Sequence, residues 1–197
     1  MRRLFILSLI VILAQGANAQ FETKKNDLSL SYGVVTIAQV IDVVSDIAGE
    51  VFTLGNVTTK NREFSGAIGL QYAYQPVRWF GIGAAAVFER STADVYQHDE
   101  LKGTTKVNYF TLMPIAKFNW FDFKVFGMYS KLGAGYTFRN SETNNIETAE
   151  TDKSNSDMVA FQFSPVCMQI GTPSIRAFAE LGVGSQGILN VGVRYRF

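Results

Sequence analysis

Gly187 to Phe197 reads GILNVGVRYRF, and its alternation decides the fold. Leu189, Val191, Val193, Tyr195 and Phe197 fall on one face of an extended strand, and Asn190, Gly192, Arg194 and Arg196 fall on the other. A greasy face that runs to a terminal phenylalanine without a polar cap must be covered, and lipid is the simplest cover.

The amino-terminal end agrees. Met1 to Ala19 carries Arg2 and Arg3, an apolar run from Leu4 to Ala14, and the small residues of Ala17-Asn18-Ala19. That is the pattern of a secretory signal, with cleavage expected between Ala19 and Gln20. A run of about eleven apolar residues is too short for a spanning helix, which needs roughly twenty. The mature domain is therefore expected over residues 20–197. Removing Arg2 and Arg3 takes the 18 basic side chains to 16 against 17 acidic ones, a net charge of about −1. Nothing in that balance favours nucleic acid. Cys167 is the sole cysteine, so no intramolecular disulfide forms. It reads as a small apolar residue, inward or lipid-facing, because the phase of its strand changes nearby. Sixteen Phe, 8 Tyr and 17 Gly against 4 Pro suit β-structure.

Period-two alternation marks eight segments: Asp27 to Thr36, Glu63 to Tyr74, Trp79 to Arg90, Lys106 to Phe118, Lys124 to Phe138, Met158 to Ile170, Ser174 to Val183 and Gly187 to Phe197. Tight turns are expected at Gln75 to Arg78, Trp120 to Phe123 and Thr172-Pro173. Long polar loops are expected at Ile37 to Arg62, Ser91 to Thr105 and Asn140 to Asp157. Long and short connections alternate except at the last hairpin, Gly184 to Gln186. This describes an all-β, eight-stranded, antiparallel, up-and-down transmembrane barrel with both termini in the periplasm and the long loops outside the cell. A soluble lipocalin-type barrel would turn its aromatics inward instead.

Charge placement tests the scheme, since Lys or Arg facing lipid at mid-membrane costs about 2 to 4 kcal/mol. Lys117, Lys131, Arg176, Glu180, Arg194 and Arg196 all lie opposite the aromatic stripe. A lumen network of ion pairs among Glu89, Lys117, Lys131, Arg176, Glu180 and Arg194 follows, because buried charge needs partners. Eight strands enclose just enough room for side chains, so the lumen is expected to be plugged. Pro114 and Pro165 interrupt good strands, and bulges are expected at both. Ile37, Val40, Ile41, Val44, Ile47, Ala48 and Val51 recur at helical spacing. They predict a helix of roughly fourteen residues in the first loop, its apolar stripe packed on the rim or neighbouring loops, or else serving as a lid or partner-binding element.

Met113-Pro114, Ser164-Pro165-Val166, Phe178 to Gly184 and the closing Gly187 to Phe197 together resemble the small outer-membrane β-barrel proteins of Bacteroidetes-type bacteria. The resemblance implies that Tyr195 and Phe197 form the carboxyl-terminal signal read by the barrel-assembly machinery. It also implies contact with outer-membrane lipid and lipopolysaccharide. It implies no particular activity.

Chemistry is sparse. Some eight-stranded barrels modify lipid A through a serine and a histidine, but His98 is the one histidine and no serine lies closer in sequence than Ser91. His98, Asp99 and Glu100 match no dedicated metal spacing. No catalytic residue, cofactor or metal is expected. The loops are expected to act structurally or in adhesion and binding to an extracellular ligand, with a narrow pore or small-ligand transport barrel as the alternative and a lipid A enzyme as the third reading.

Overall fold

The computed structural model describes residues 24–53, 57–97, 100–145 and 151–197. The expected cleavage point at Ala19 and Gln20, together with His98 and Asp99, lies outside them. The elements are β1 (Asn26–Val34), α1 (Ile37–Phe52), β2 (Val57–Phe64), β3 (Ala67–Val77), β4 (Phe80–Gln97), β5 (Glu100–Asp122), β6 (Phe126–Asn145), β7 (Thr151–Gly171), β8 (Ile175–Gly184) and β9 (Leu189–Arg196).

The strands close on themselves. β1 pairs with both β3 and β9, the order runs β9-β8-β7-β6-β5, and β5 pairs with β4, which pairs with β3, every pairing antiparallel. Closure is stitched where the described chain begins and ends: Asn26 N donates to Phe197 O at 3.1 Å and Phe197 N to Asn26 O at 3.0 Å. The ring therefore has eight positions. One of them is shared: β2 pairs with β4 from Ser91 to Gln97 and β3 pairs with it from Phe80 to Phe88. The expected single strand Glu63 to Tyr74 is broken between them at Ser65-Gly66, where Gly66 takes φ +73°. That left-handed backbone suits glycine, which has no Cβ to clash.

The outer face is the greasy one. Leu30, Leu70, Ile82, Leu112, Ile170 and Val193 are each about half exposed, while Lys117, Lys131 and Arg194 are fully buried. A soluble domain has the reverse arrangement, so the outer face is a lipid surface. Its limits are aromatic. Near the chain termini lie Trp79, Phe80, Phe118, Phe126, and Tyr195 stacked on Phe197 at 5.6 Å. At the far, distal end Phe88, Phe110 and Phe138 sit side by side across β4, β5 and β6, and the next outward-facing row is polar: Arg90, Asn108, Asn140 and Asn155.

Two expected loops are strands. Residues 91–97 and 100–105 and most of Asn140 to Asp157 continue the ladders of β4–β5 and β6–β7, with residues 98–99 and 146–150 outside the described residues. Their polar alternation was readable only as loop, because beyond the lipid boundary a strand needs no greasy face. With β2 they raise a sheet well past the aromatic row on one side. On the other side β8 and β9 are joined by the short connection that follows Gly184.

The prolines behave differently from each other. Across Pro165 the register slips, with Phe163 facing Val183 but Val166 facing Leu181, so β7 carries one extra residue and a bulge. Pro114 carries none. It faces Ala84 in the part of the β4–β5 ladder that runs in constant register from Phe80 to Val95, and the β5–β6 ladder passes over Met113 and Pro114 without shifting register. A missing donor can be met by a gap in one ladder as well as by a bulge. Cys167 follows the bulge, turns inward and is fully buried, its Sγ 3.5 Å from Ser164 O.

α1 starts at a Thr36 cap. Thr36 Oγ1 accepts from Gln39 N at 3.2 Å and Thr36 O accepts from Val40 N at 3.1 Å, which satisfies two first-turn donors. The helix has 16 residues and is oriented opposite to expectation. Gln39, Asp42 and Asp46 face the barrel, while Val40, Val44, Ile47 and Val51 are 50 to 68% exposed. The apolar stripe therefore does not pack on the rim, because the polar side has the stronger partners there.

Candidate functional site

Two polar networks fill the barrel, one inside the lipid-facing belt and one at its distal mouth. In the belt, alternation turns every second side chain of each strand inward, so strands that each hold one or two charges deliver them to a shared axis. Glu180 on β8 is the centre. It accepts from Tyr129 Oη at 2.6 Å, from Asn190 Nδ2 at 2.9 Å and from Lys131 Nζ. Lys131 also donates to Gln186 Oε1 and, at 3.4 Å, to Gln71 Oε1. Arg194 donates to Gln169 Oε1 at 2.6 Å and to Tyr129 Oη at 2.9 Å, and its guanidinium lies 4.8 Å from the ring centres of Tyr129 and Phe178. These side chains are almost entirely sealed from solvent.

Nearer the termini a second tier is built on two acids. Asp27 takes Lys117 Nζ at 2.6 Å, Gln75 Nε2 at 2.8 Å and Arg196 Nε at 3.2 Å. Asp122 takes Arg196 Nη1 at 2.7 Å and Arg176 Nη1, while Arg176 Nη2 donates to Phe123 O at 2.6 Å. Of the six residues assigned to a lumen network from sequence, Lys131, Glu180 and Arg194 meet through Glu180 and Tyr129. Lys117 and Arg176 join through Asp27, Asp122 and Arg196.

Glu89 does not meet them. It is buried higher, at the mouth, where its carboxylate accepts from Thr36 Oγ1 and Gln39 Nε2, each at 2.7 Å. Asp27, Asp122 and Tyr129 escaped the sequence reading. Asp122 lay in a segment read as turn, and β5 in fact reaches it. Asp27 was legible by phase, since it shares an inward face with Ser29 and Ser31, but its match to Arg196 exists only once β1 and β9 close the ring.

The mouth network holds α1. Arg62 on β2 forks onto Asp46 at 2.5 and 2.6 Å, and its Nη1 reaches Asp42 at 2.9 Å and Ser91 Oγ at 2.8 Å. Tyr109 Oη donates to the other oxygen of Asp42 at 2.5 Å and accepts from Arg139 Nε at 3.2 Å. A two-pronged guanidinium–carboxylate contact fixes orientation as well as distance. Ile37, Ala38, Val87, Glu89, Tyr109 and Ser185 help line a cavity of only about 20 Å³ beneath the helix. Tyr195 and Phe197, expected as an assembly signal, lie on the lipid face, half exposed.

A closed antiparallel ring, greasy outside and ion-paired inside, defines the class: a transmembrane β-barrel with a filled lumen. No family model and no curated protein matches the sequence. Among solved structures the chain is similar to Ail, the attachment invasion locus protein of Yersinia pestis. The crystal structure of Ail with the heparin analogue sucrose octasulfate aligns at TM-score 0.48 and 13% identity, and that of Ail without it at 0.45 and 12%. Each alignment covers 89% of this chain and 100% of the other.

Proposed function

We propose that this protein is an outer-membrane barrel of a Gram-negative bacterium that works at its distal, extracellular end as an adhesion or binding element. Both termini then lie in the periplasm, lipopolysaccharide surrounds the distal rows, and Tyr195 and Phe197 are read by the barrel-assembly machinery. The motif resemblance to barrels of Bacteroidetes-type bacteria belongs to the same reading.

The carrying observation is the inverted helix. Arg62 and Tyr109 clamp the polar side of α1 to the extended sheet, and an uncharged stripe of Val40, Val44, Ile47 and Val51 is left exposed. An exposed apolar stripe on an anchored element is the mark of a contact surface. The lumen supports the same reading, because a conducting path would have to separate fully buried ion pairs.

Cells expressing the full chain are expected to adhere to surfaces coated with an extracellular-matrix protein or a sulfated polysaccharide, and Val44→Asp/Ile47→Asp cells to lose at least half of that adhesion with barrel levels unchanged. Equal adhesion by both on both surfaces, with ion-sized conductance steps from the refolded protein in planar bilayers, would replace this reading by the pore.

A further inference from the structure

One rung of the lumen leaves three polar atoms unpartnered, each of which can donate a hydrogen bond. Arg194 on β9 faces Ser29 on β1, and Ser29 faces Gln71 on β3. All three are at most 5% exposed. Each has a buried polar atom without a hydrogen-bond partner among the described residues: Arg194 Nε, Ser29 Oγ and Gln71 Nε2. The acceptor side of the Gln71 amide is already occupied by Lys131 Nζ, so its free side carries hydrogens. Facing residues in antiparallel strands have Cα atoms only about 4.5 to 5.5 Å apart, so the three side chains enter the lumen from adjacent strands with Ser29 in the middle.

Charge around the rung is unbalanced. Among the described residues, the lumen below Glu89 holds five cations (Lys117, Lys131, Arg176, Arg194 and Arg196) and three acids (Asp27, Asp122 and Glu180), all at most 5% exposed. Two positive charges are therefore unmatched in a low-dielectric interior, where uncompensated charge is expensive. The nearest carboxylate that could serve the rung is Asp27. Its Oδ2 is taken by Lys117, with Arg194 Nε 3.7 Å away, and its Oδ1 lies 3.2 Å from Arg196 Nε as an ion pair but makes no hydrogen bond among the described residues. Water could accept from the three donors but would leave the charge excess in place. An organic anion is too large for a lumen packed with side chains.

We infer that the barrel binds a small monovalent anion of halide size inside the lumen, held by Arg194 Nε, Ser29 Oγ and Gln71 Nε2. The anion is part of the plug: it offsets one of the two unmatched positive charges and stabilises the folded barrel by mass action.

The refolded full chain tests this with chloride and bromide as probes. At constant ionic strength, replacing gluconate by chloride is expected to raise Tm by about 5 to 10 °C at a concentration roughly 100-fold above Kd, and then to saturate. Crystals grown in bromide are expected to show an anomalous peak within hydrogen-bond distance of Ser29 and Gln71. Gln71→Glu supplies an internal anion, so it is expected to melt higher than the parent in gluconate and to have lost the chloride response. Ser29→Ala is expected to weaken that response. A Tm indifferent to the halide, bromide found at the surface only, or a Gln71→Glu protein that keeps the full chloride response would each overturn the site.

Discussion

The belt network and the mouth network use the same chemistry in different surroundings, and that difference assigns them different work. Lys131 and Glu180 meet where neither side chain is exposed, whereas Arg62 and Asp46 meet with 14% and 22% of their side chains in solvent. In the belt each charge has lost its water and is retained only because its partner is there. At the mouth water and salt compete for the same groups, so the clamp on α1 is an interaction that can open. A sealed lumen plug and a solvent-facing clamp can thus be made from similar residues, distinguished by how far each is buried.

The sharpest way to break the comparison is to remove one belt charge. Glu180→Ala leaves Lys131 buried without its acid and is expected to destabilise the barrel by about 3 to 5 kcal/mol, read as a shift in the urea midpoint of the refolded protein. The double variant Lys131→Met/Glu180→Leu is expected to recover most of that loss, since a packed apolar pair carries no desolvation cost. Failure to recover would mean that Tyr129 and Asn190, and not the charge, dominate the centre.

A smaller effect is expected at the mouth. Arg62→Ala removes the fork onto Asp46 and the contact with Asp42, at a cost of about 1 to 2 kcal/mol after discounting for solvent. Because the loss is local, amide exchange in α1 should quicken while exchange in β8 and β9 stays slow. Equal acceleration throughout would make the cap part of one cooperative unit with the belt. The smallest effect belongs to the exposed stripe: Ile47→Lys is expected to change stability by less than about 0.5 kcal/mol. A larger loss in the urea midpoint would show that the stripe is covered in the folded protein.

Legibility in the sequence followed the solvent. Within the lipid belt, each strand alternates because lipid lies on one side and the lumen on the other, so the phase of Lys117, Lys131, Arg176, Glu180 and Arg194 could be read residue by residue. Past the aromatic row that contrast ends, and the outer halves of β4 to β7 looked like polar loops although they pair as regularly as the rest. The spacing of α1 gave its helix but not its orientation. That was decided by Arg62, Glu89 and Tyr109, which lie 16 to 67 residues further along the chain than their helix partners and offered its polar side better partners than the rim offered its valines.

By itself the sequence determined the ring: period-two alternation, inward charges and a greasy closing strand leave an eight-stranded barrel as the arrangement that hides every charge from lipid. It did not determine who pairs with whom. The match of Asp27 to Arg196, the exclusion of Glu89 from the belt, the ladder gap at Pro114 and the donor rung of Arg194, Ser29 and Gln71 all depend on which strands become neighbours and in which register. Register is a property of the closed ring, and the alternation of any one strand fits many registers equally well.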